Sequence, residues 1–421
     1  MNSFEDLIET VQNFIGLLLA GDFTSAAGKF DDQMKIALNE AKLQETWINT
    51  IKEAGALIQL NAPKTAEVES YRIVTIPCSF QRSIIEVQIT FNKEGQISGL
   101  NFIPTSMEYH APNYVDKSAF SEVEMTIGEG KWALPGTLTV PDGSGPFPCL
   151  VLVHGSGPND RDETIGPNKI FKDIAWGLAS KGIAVLRYDK RTFVHAKHMT
   201  PDLVDQMTAK EEVIDDALLA VDLMRKTEGI DPKRVFLLGH SLGATLAPRI
   251  AQQDNGLAGI IIMAGITRSI EETILDQFTY LYNLDGNMTE QQKAELDDLK
   301  EKVDKLKDPE FIENISRQDL PLAMPVDYWK DLHNHDTVAI VKTLSMPILV
   351  LQGGRDYQVL ESEDFKGWKD ALNHRENATL KVFPELNHLF IAGEGKSSPQ
   401  EYMVESHVKK EVIDYIVDWM K

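Results

Sequence analysis

Three residues far apart in the chain have the types that nucleophilic catalysis needs: Ser241 in VFLLGHSLGATLAPRI, Asp356 in LQGGRDYQV and His388 in FPELNHLF. A serine hydroxyl is a weak nucleophile near neutral pH. It needs an imidazole to take its proton and a carboxylate to fix that imidazole's tautomer and stabilise its cation. Ser241 lies in G-x-S-x-G between Gly239 and Gly243, where a strand turning at once into a helix brings two backbones so close that a flanking Cβ would collide. Such a pattern alone also marks ordinary tight turns. Asp356 and His388, however, each fall just past an apolar, strand-like run, so all three residues sit at strand ends. An acyl-transfer site further needs donors for an oxyanion. The amide of Leu242, at the start of the following helix, is one; that of Ser156 in VLVHGSGPNDRDE is the other, with Gly157 as its neighbouring alternative. Asp160, Arg161, Asp162 and Glu163 read as a salt-bridged cluster steadying that loop, and His154 and His240 as structural histidines.

Those strand ends require a scaffold, and the pattern from Glu122 onward supplies one. VEMTIGEG and WALPGTLTVP read as a hairpin, and PCLVLVHG, 148–155, as a strand buried on both faces. Helix 168–180, strand 183–188, helix 210–227, strand 235–239, helix 242–250 and strand 259–264 then alternate. After an insertion come strands 347–353 and 379–383 and a closing helix 401–420. This alternation predicts an α/β fold with a doubly wound, mostly parallel sheet, helices on both faces and ligands at the carboxyl ends of the strands.

The insertion, 266–335, leaves the sheet beside the strand that presents Ser241, which predicts a short helical cap over the site. Thr289 and Gln292 form a capping box, and Leu296, Leu299, Val303 and Leu306 make one apolar stripe that packs on the rest of the protein. Its 8 Lys+Arg against 16 Asp+Glu leave the outer face acidic. Phe278, Tyr280, Leu281, Tyr282, Tyr328 and Trp329 offer surface for an apolar pocket.

Before residue 110 the order is different. Helices 4–20, 24–29 and 32–53 precede strands 67–80, 83–91 and 97–102, the last after the turn NKEG. This is an α+β arrangement without a catalytic constellation. A chain of 421 residues is too long for one ordinary core, so the organisation expected is a small domain over 1–110 and a larger one over 120–421 that carries the cap at 266–335.

Composition excludes several classes. With 42 Lys+Arg against 64 Asp+Glu, the formal charge of −22 repels nucleic acid and anionic membranes. Two cysteines, Cys78 and Cys149, in different domains give no disulfide framework, and neither a zinc-type cluster nor H-E-x-x-H occurs. No cofactor or metal is expected. The N-terminal stretch carries Glu5, Asp6 and Glu9 where a secretory signal needs positive charge, and no run reaches about 18 apolar residues. A cytoplasmic protein is the expectation, with secretion as the alternative if a leader has been removed.

HGSGPNDRDE, RYDKR at 187–191, GHSLGA and LQGGRDYQV together resemble the α/β-hydrolases, and within them the bacterial serine esterases related to dienelactone hydrolases and to acylaminoacyl and prolyl peptidases. The first domain is similar to a small module of unknown function, with a nuclear transport factor 2-like cone, found in front of such esterases. The resemblance implies hydrolysis of small carboxylic esters, of short or medium acyl chain, through an acyl-serine intermediate. Ala244 stands where the peptidase branch commonly has a second glycine, and the propeller domain of that branch is absent, which argues against peptidase activity. An acyltransferase or thioesterase on the same triad and a non-catalytic binding protein are the rival readings.

Overall fold

The computed structural model describes residues 3–54, 56–68, 71–80, 83–105 and 109–421. One compact unit runs to His110 and takes in Ile165–Asn168 and Pro399–Glu405; the other holds Ala111–Thr164, Lys169–Ser398 and Ser406–Lys421.

In the first unit, helix Phe4–Leu19 starts at a Ser3/Asp6 capping box and buries Leu7, Val11, Phe14, Ile15 and Leu18, the stripe expected of a helix on a sheet. The sheet is antiparallel: β1 (Leu57–Leu60), β2 (Lys64–Val68), β3 (Tyr71–Phe80), β4 (Ile84–Phe91) and β5 (Ile97–Thr105), ordered β1-β3-β4-β5 with β2 also on β3. Residues of β4 alternate between buried and partly exposed, as a sheet covered on one face requires. Two expectations need correction. The single helix over 32–53 is two, Asp32–Ala37 and Glu40–Ala54, because Leu38 leaves helical geometry at φ −131° and Asn39 caps the second helix by accepting the Lys42 amide at 3.0 Å. The strand over 67–80 is divided between β2 and β3; Glu69 and Ser70 between them lie outside the described residues.

The second unit is built on eight strands: β6 (Phe120–Ile127), β7 (Leu134–Pro141), β8 (Phe147–Val153), β9 (Ala184–Tyr188), β10 (Ile230–His240), β11 (Gly259–Met263), β12 (Ile348–Gly353) and β13 (Ala378–Phe383). Their order is β13-β12-β11-β10-β8-β9-β7-β6. The six strands from β8 to β13 pair in parallel, and β7 runs antiparallel to both β9 and β6. Every residue of β9, β11 and β12 is buried, so helices cover both faces, whereas the edge strand β6 is largely exposed and the other edge strand, β13, is half-buried. This is the α/β-hydrolase arrangement. Register places Gly239 beside Val153 and His240 beside Met263, which brings the loops after β8 and β11 against the end of β10.

The insertion after β11 holds helices Ile270–Tyr282, Glu290–Lys305, Pro309–Glu313 and Val326–His333. The Thr289/Gln292 capping box is formed. Leu296 is buried, and Leu299, Val303 and Leu306 lie in small cores of the insertion itself, so these three pack within the cap rather than, as expected, on the rest of the protein. The two cysteines are unpaired and fully buried, Cys78 in β3 and Cys149 in β8.

Candidate active site

Ser241 closes β10 and opens helix Leu242–Gln253 at φ 54°, ψ −114°, a conformation L-residues rarely adopt. The strain has a visible cause: the chain turns from strand to helix with no intervening loop. A Cβ on Gly239 would lie 2.1 Å from the Gly243 carbonyl oxygen, and one on Gly243 would lie 2.3 Å from that of Val153. The turn is held from both sides, since the Ser241 amide donates to the Met263 carbonyl at 3.0 Å and the Ser241 carbonyl accepts the Thr245 amide at 3.0 Å.

Asp356 follows β12 and His388 follows β13. The His388 Nδ1 donates to Asp356 Oδ2 at 2.7 Å, and both side chains are almost wholly buried. The Asp356 carboxylate is held by further donors: the Gln358 and Val359 amides at 2.8 and 3.0 Å, and the Gln352 side chain at 3.2 Å. Asn387 fixes the base loop by accepting the Leu389 and Ile391 amides on its side-chain oxygen at 3.0 and 3.3 Å. Gly353 and Gly354 let these segments touch, because a Cβ on either would meet backbone of Pro384, Leu386 or Asn387 within 2.7 Å.

The loop after β8 packs on the elbow. A Cβ on Gly155 would lie 3.1 Å from that of Ser241. The Gly155 amide donates to Glu163 Oε1 at 2.6 Å, while its carbonyl accepts the Lys190 ammonium at 2.9 Å. The Asn159 side-chain amide donates to the carbonyls of Gly155, Ser156 and Gly157 at 3.1–3.3 Å. With those carbonyls engaged, the Ser156 amide donates to no group among the described residues, nor does the Leu242 amide.

The charged cluster after this loop is of two kinds. Arg161 pairs with Asp189 and Glu124, and Asp162 with Arg187 and Lys169, holding the loop to the strands behind it. Glu163 instead turns inward at φ 48°. Its Oε2 accepts His240 Nδ1 at 3.1 Å, and His240 Nε2 donates to the His388 carbonyl at 3.0 Å. The His240 and His388 rings lie 4.8 Å apart, which places the base loop against the residue next to Ser241. Burial opposes both charges of this pair, but the Glu163 carboxylate raises the proton affinity of His240 above the ordinary imidazole range, and His240 in turn holds Glu163 below the usual carboxylate range. His154 behaves oppositely: burial pushes it down to about 4, and it is neutral.

In sequence Glu163 reads as one of the charged residues of the loop cluster, and no local pattern singles out Gln352, Asn387 or Lys190. A histidine immediately before the serine was the available signal. Lys190 also pairs with Glu212 at 2.9 Å, and Glu212 accepts the hydroxyl of Tyr328 from the cap. On the other side Asp364, fully buried, accepts the Thr267 amide and the Arg268 guanidinium, both at 3.0 Å, where the cap begins. Of the cap's aromatics, Trp329 is buried among cap residues, whereas Tyr280 stacks on Tyr357, next to Asp356, at 5.0 Å. Among the described residues no group of histidine, cysteine and carboxylate side chains is arranged to hold a metal ion.

The family model described as serine aminopeptidase, S33, matches residues 149–395, and one described as a protein of unknown function (DUF3887) matches residues 11–100. Esterase EstD of Thermotoga maritima is 42% identical over 409 residues, covering 97% of this chain and 93% of its own. Among solved structures, an esterase of Pyrococcus furiosus is 14% identical with a TM-score of 0.44, covering 75% of this chain and 97% of that one. Est1E from Butyrivibrio proteoclasticus is 16% identical with a TM-score of 0.43, covering 70% and 98%.

Proposed function

The chain belongs to the serine aminopeptidase S33 family of α/β-hydrolases, with an esterase as a relative along nearly its whole length, and from that premise we propose a serine carboxylesterase in which Ser241, His388 and Asp356 form the catalytic triad. The observation that carries the residue assignment is the buried 2.7 Å bond from His388 Nδ1 to Asp356, which leaves Nε2 as the basic nitrogen, beside a serine held at positive φ on a strand end. Ser241 Oγ attacks the ester carbonyl as His388 Nε2 takes its proton. The tetrahedral oxyanion accepts the amides of Ser156 and Leu242. Collapse expels the alcohol, which leaves with the proton from His388, and water then releases the acid by the same two steps. The choice of Ser156 is supported by its neighbour, since the Gly155 amide is already given to Glu163.

We take the substrate to be a small carboxylic ester of short or medium acyl chain, a preference supported by the Tyr280 ring of the cap, which stacks on Tyr357 beside the acid loop. No metal or cofactor enters these steps, and a chelator is expected to leave the rate unchanged. Neither cysteine is paired, which supports a cytoplasmic setting; no helix among the described residues is long and apolar enough to cross a membrane. Ser241→Ala tests the reading. It should abolish covalent labelling by a fluorophosphonate and lower turnover by several orders of magnitude, while retained labelling refutes the assignment.

A further inference from the structure

Glu163 and His240 use their hydrogen-bonding groups on the segments that carry the proposed chemistry. Glu163 Oε1 takes the amide of Gly155, the residue before the Ser156 donor, and Oε2 takes His240 Nδ1. His240 is bonded through the backbone to Ser241, and its Nε2 reaches the carbonyl of His388 itself. One carboxylate–imidazole pair thus joins the oxyanion loop, the nucleophile and the base, which lie 77 and 148 residues apart along the chain where its hydrogen bonds cross it.

Three features say that this pair does more than fill space. Both side chains are only 2% exposed, and a buried ion pair is a poor means of stabilisation, since apolar residues of similar volume commonly serve as well or better. Glu163 holds φ 48°, which a residue with a Cβ keeps only when its surroundings demand it. The hydrogen-bond logic is also closed. A backbone carbonyl can only accept, so His240 Nε2 carries hydrogen. One proton lies between Nδ1 and Glu163 Oε2, and because each partner favours the charged form of the other it sits on His240, an imidazolium paired with ionised Glu163. The 2.6 Å bond from the Gly155 amide is of the short, charge-assisted kind. Other charged groups nearby have partners of their own: Lys190 is paired with Glu212, and the Asp356 carboxylate is held by hydrogen bonds from His388, Gln352 and the Gln358 and Val359 amides, while His154 is neutral.

We propose that Glu163 and His240 are positioning residues for the esterase reaction, a buried carboxylate–imidazolium link that sets the Ser156 amide and the His388 imidazole at their working places around Ser241. The proposal rests on the triad reading given above. Neither residue touches the ester; both act through the groups they hold.

Glu163→Ala removes the link and Glu163→Gln keeps it. In the glutamine variant, Oε1 still accepts the Gly155 amide and the side-chain NH2 donates to Nδ1 of a now neutral His240, whose Nε2–H still reaches His388. Active sites are titrated with a fluorophosphonate, and kcat for an activated acetyl ester is expressed per labelled site, so that loss of folded protein does not count. The alanine variant should lose about 100-fold in kcat per site with KM within about twofold, since the groups displaced act in the transition state. The glutamine variant should stay within about threefold of the parent. Should Glu163→Ala not fold, His240→Asn, too short to bridge, takes its place with the same expected loss. Unchanged kcat per site in the link-breaking variant, or a glutamine variant as impaired as the alanine one, overturns the proposal. Ser241→Ala is run alongside. If it is inactive and unlabelled while Glu163→Ala is fully active, the link alone is refuted; if it turns over, the triad reading fails and the proposal with it.

Discussion

Gly239 and Gly243 set how closely the elbow can fold on itself, and both were legible because a steric requirement of this kind is local in sequence. Gly243→Ala would place a Cβ 2.3 and 2.6 Å from the carbonyl oxygens of Val153 and His154. Both are backbone atoms of the β8 end, so the helix must move away from the loop that carries Ser156. The variant should lose about 1–3 kcal/mol or more of stability, seen as a lower urea midpoint, and label more slowly with a fluorophosphonate. Unaltered labelling would show that the helix start is not part of the site. The placement of Ser241, Asp356 and His388 at strand ends was legible for a related reason, since each stands just past a recognisable strand. Glu163 was not, because its partners are remote in sequence and nothing local separates it from the salt-bridged residues beside it. His154 gives a pH signature. Burial, chiefly, pushes it down to about 4 in the folded protein, while an unfolded histidine titrates near 6.5. Between these values the unfolded chain binds the extra proton, so the contribution to stability is present above about pH 6.5 and is lost as pH falls towards 4. Urea midpoints between pH 7 and 4.5 should therefore fall, and fall less steeply in His154→Gln. Identical slopes would mean that His154 titrates normally.

Alternation of strand and helix patterns was enough to order the elements of the parallel sheet, because strands buried on both faces read as unbroken apolar runs. What the pattern does not encode is the local irregularity that tertiary partners impose. The helix expected from 210 begins as a π turn, Lys210–Ile214, and another π turn spans Glu361–Phe365. An extra residue per turn is typical of sites where a side chain must be redirected, and here the two turns contain Glu212 and Asp364, the carboxylates that receive Tyr328 and Arg268 from the cap. These two carboxylates are thus among the points that seat the cap, one leading through Lys190 to the Gly155 carbonyl and one beside the acid loop. Tyr280 is a cap residue that reaches the acid loop, stacked on Tyr357 and donating to the Ser397 carbonyl at 2.8 Å. Tyr280→Ala should change kcat/KM across acyl lengths more than it changes the rate with an acetyl ester. Parallel profiles for the variant and the parent would mean that this part of the cap does not select the acyl chain.

At the scale of the molecule, the switch from helices followed by antiparallel strands to alternating strands and helices coincides with the division into two compact units, each with a main core on its sheet, to which the insertion adds small cores of its own. Less legible was the membership of Ile165–Asn168 and Pro399–Glu405, which cluster with the first unit, since segments this short carry no periodicity of their own. Each core also encloses one thiol. Cys78 and Cys149 are the two cysteines of the chain, both with no exposed surface, and burial pushes the Cys78 thiol up to about 12 and that of Cys149 higher still. A thiolate, not a thiol, is the reacting species, so neither can be alkylated until the core around it opens. The sequence has thus placed one clock in each half of the protein, and modification rates under rising denaturant, read by mass spectrometry of the two peptides, time the opening of each separately. Cys78 should be modified first, since the smaller unit buries a smaller share of its chain. Simultaneous modification of both would mean that the two cores open in a single event.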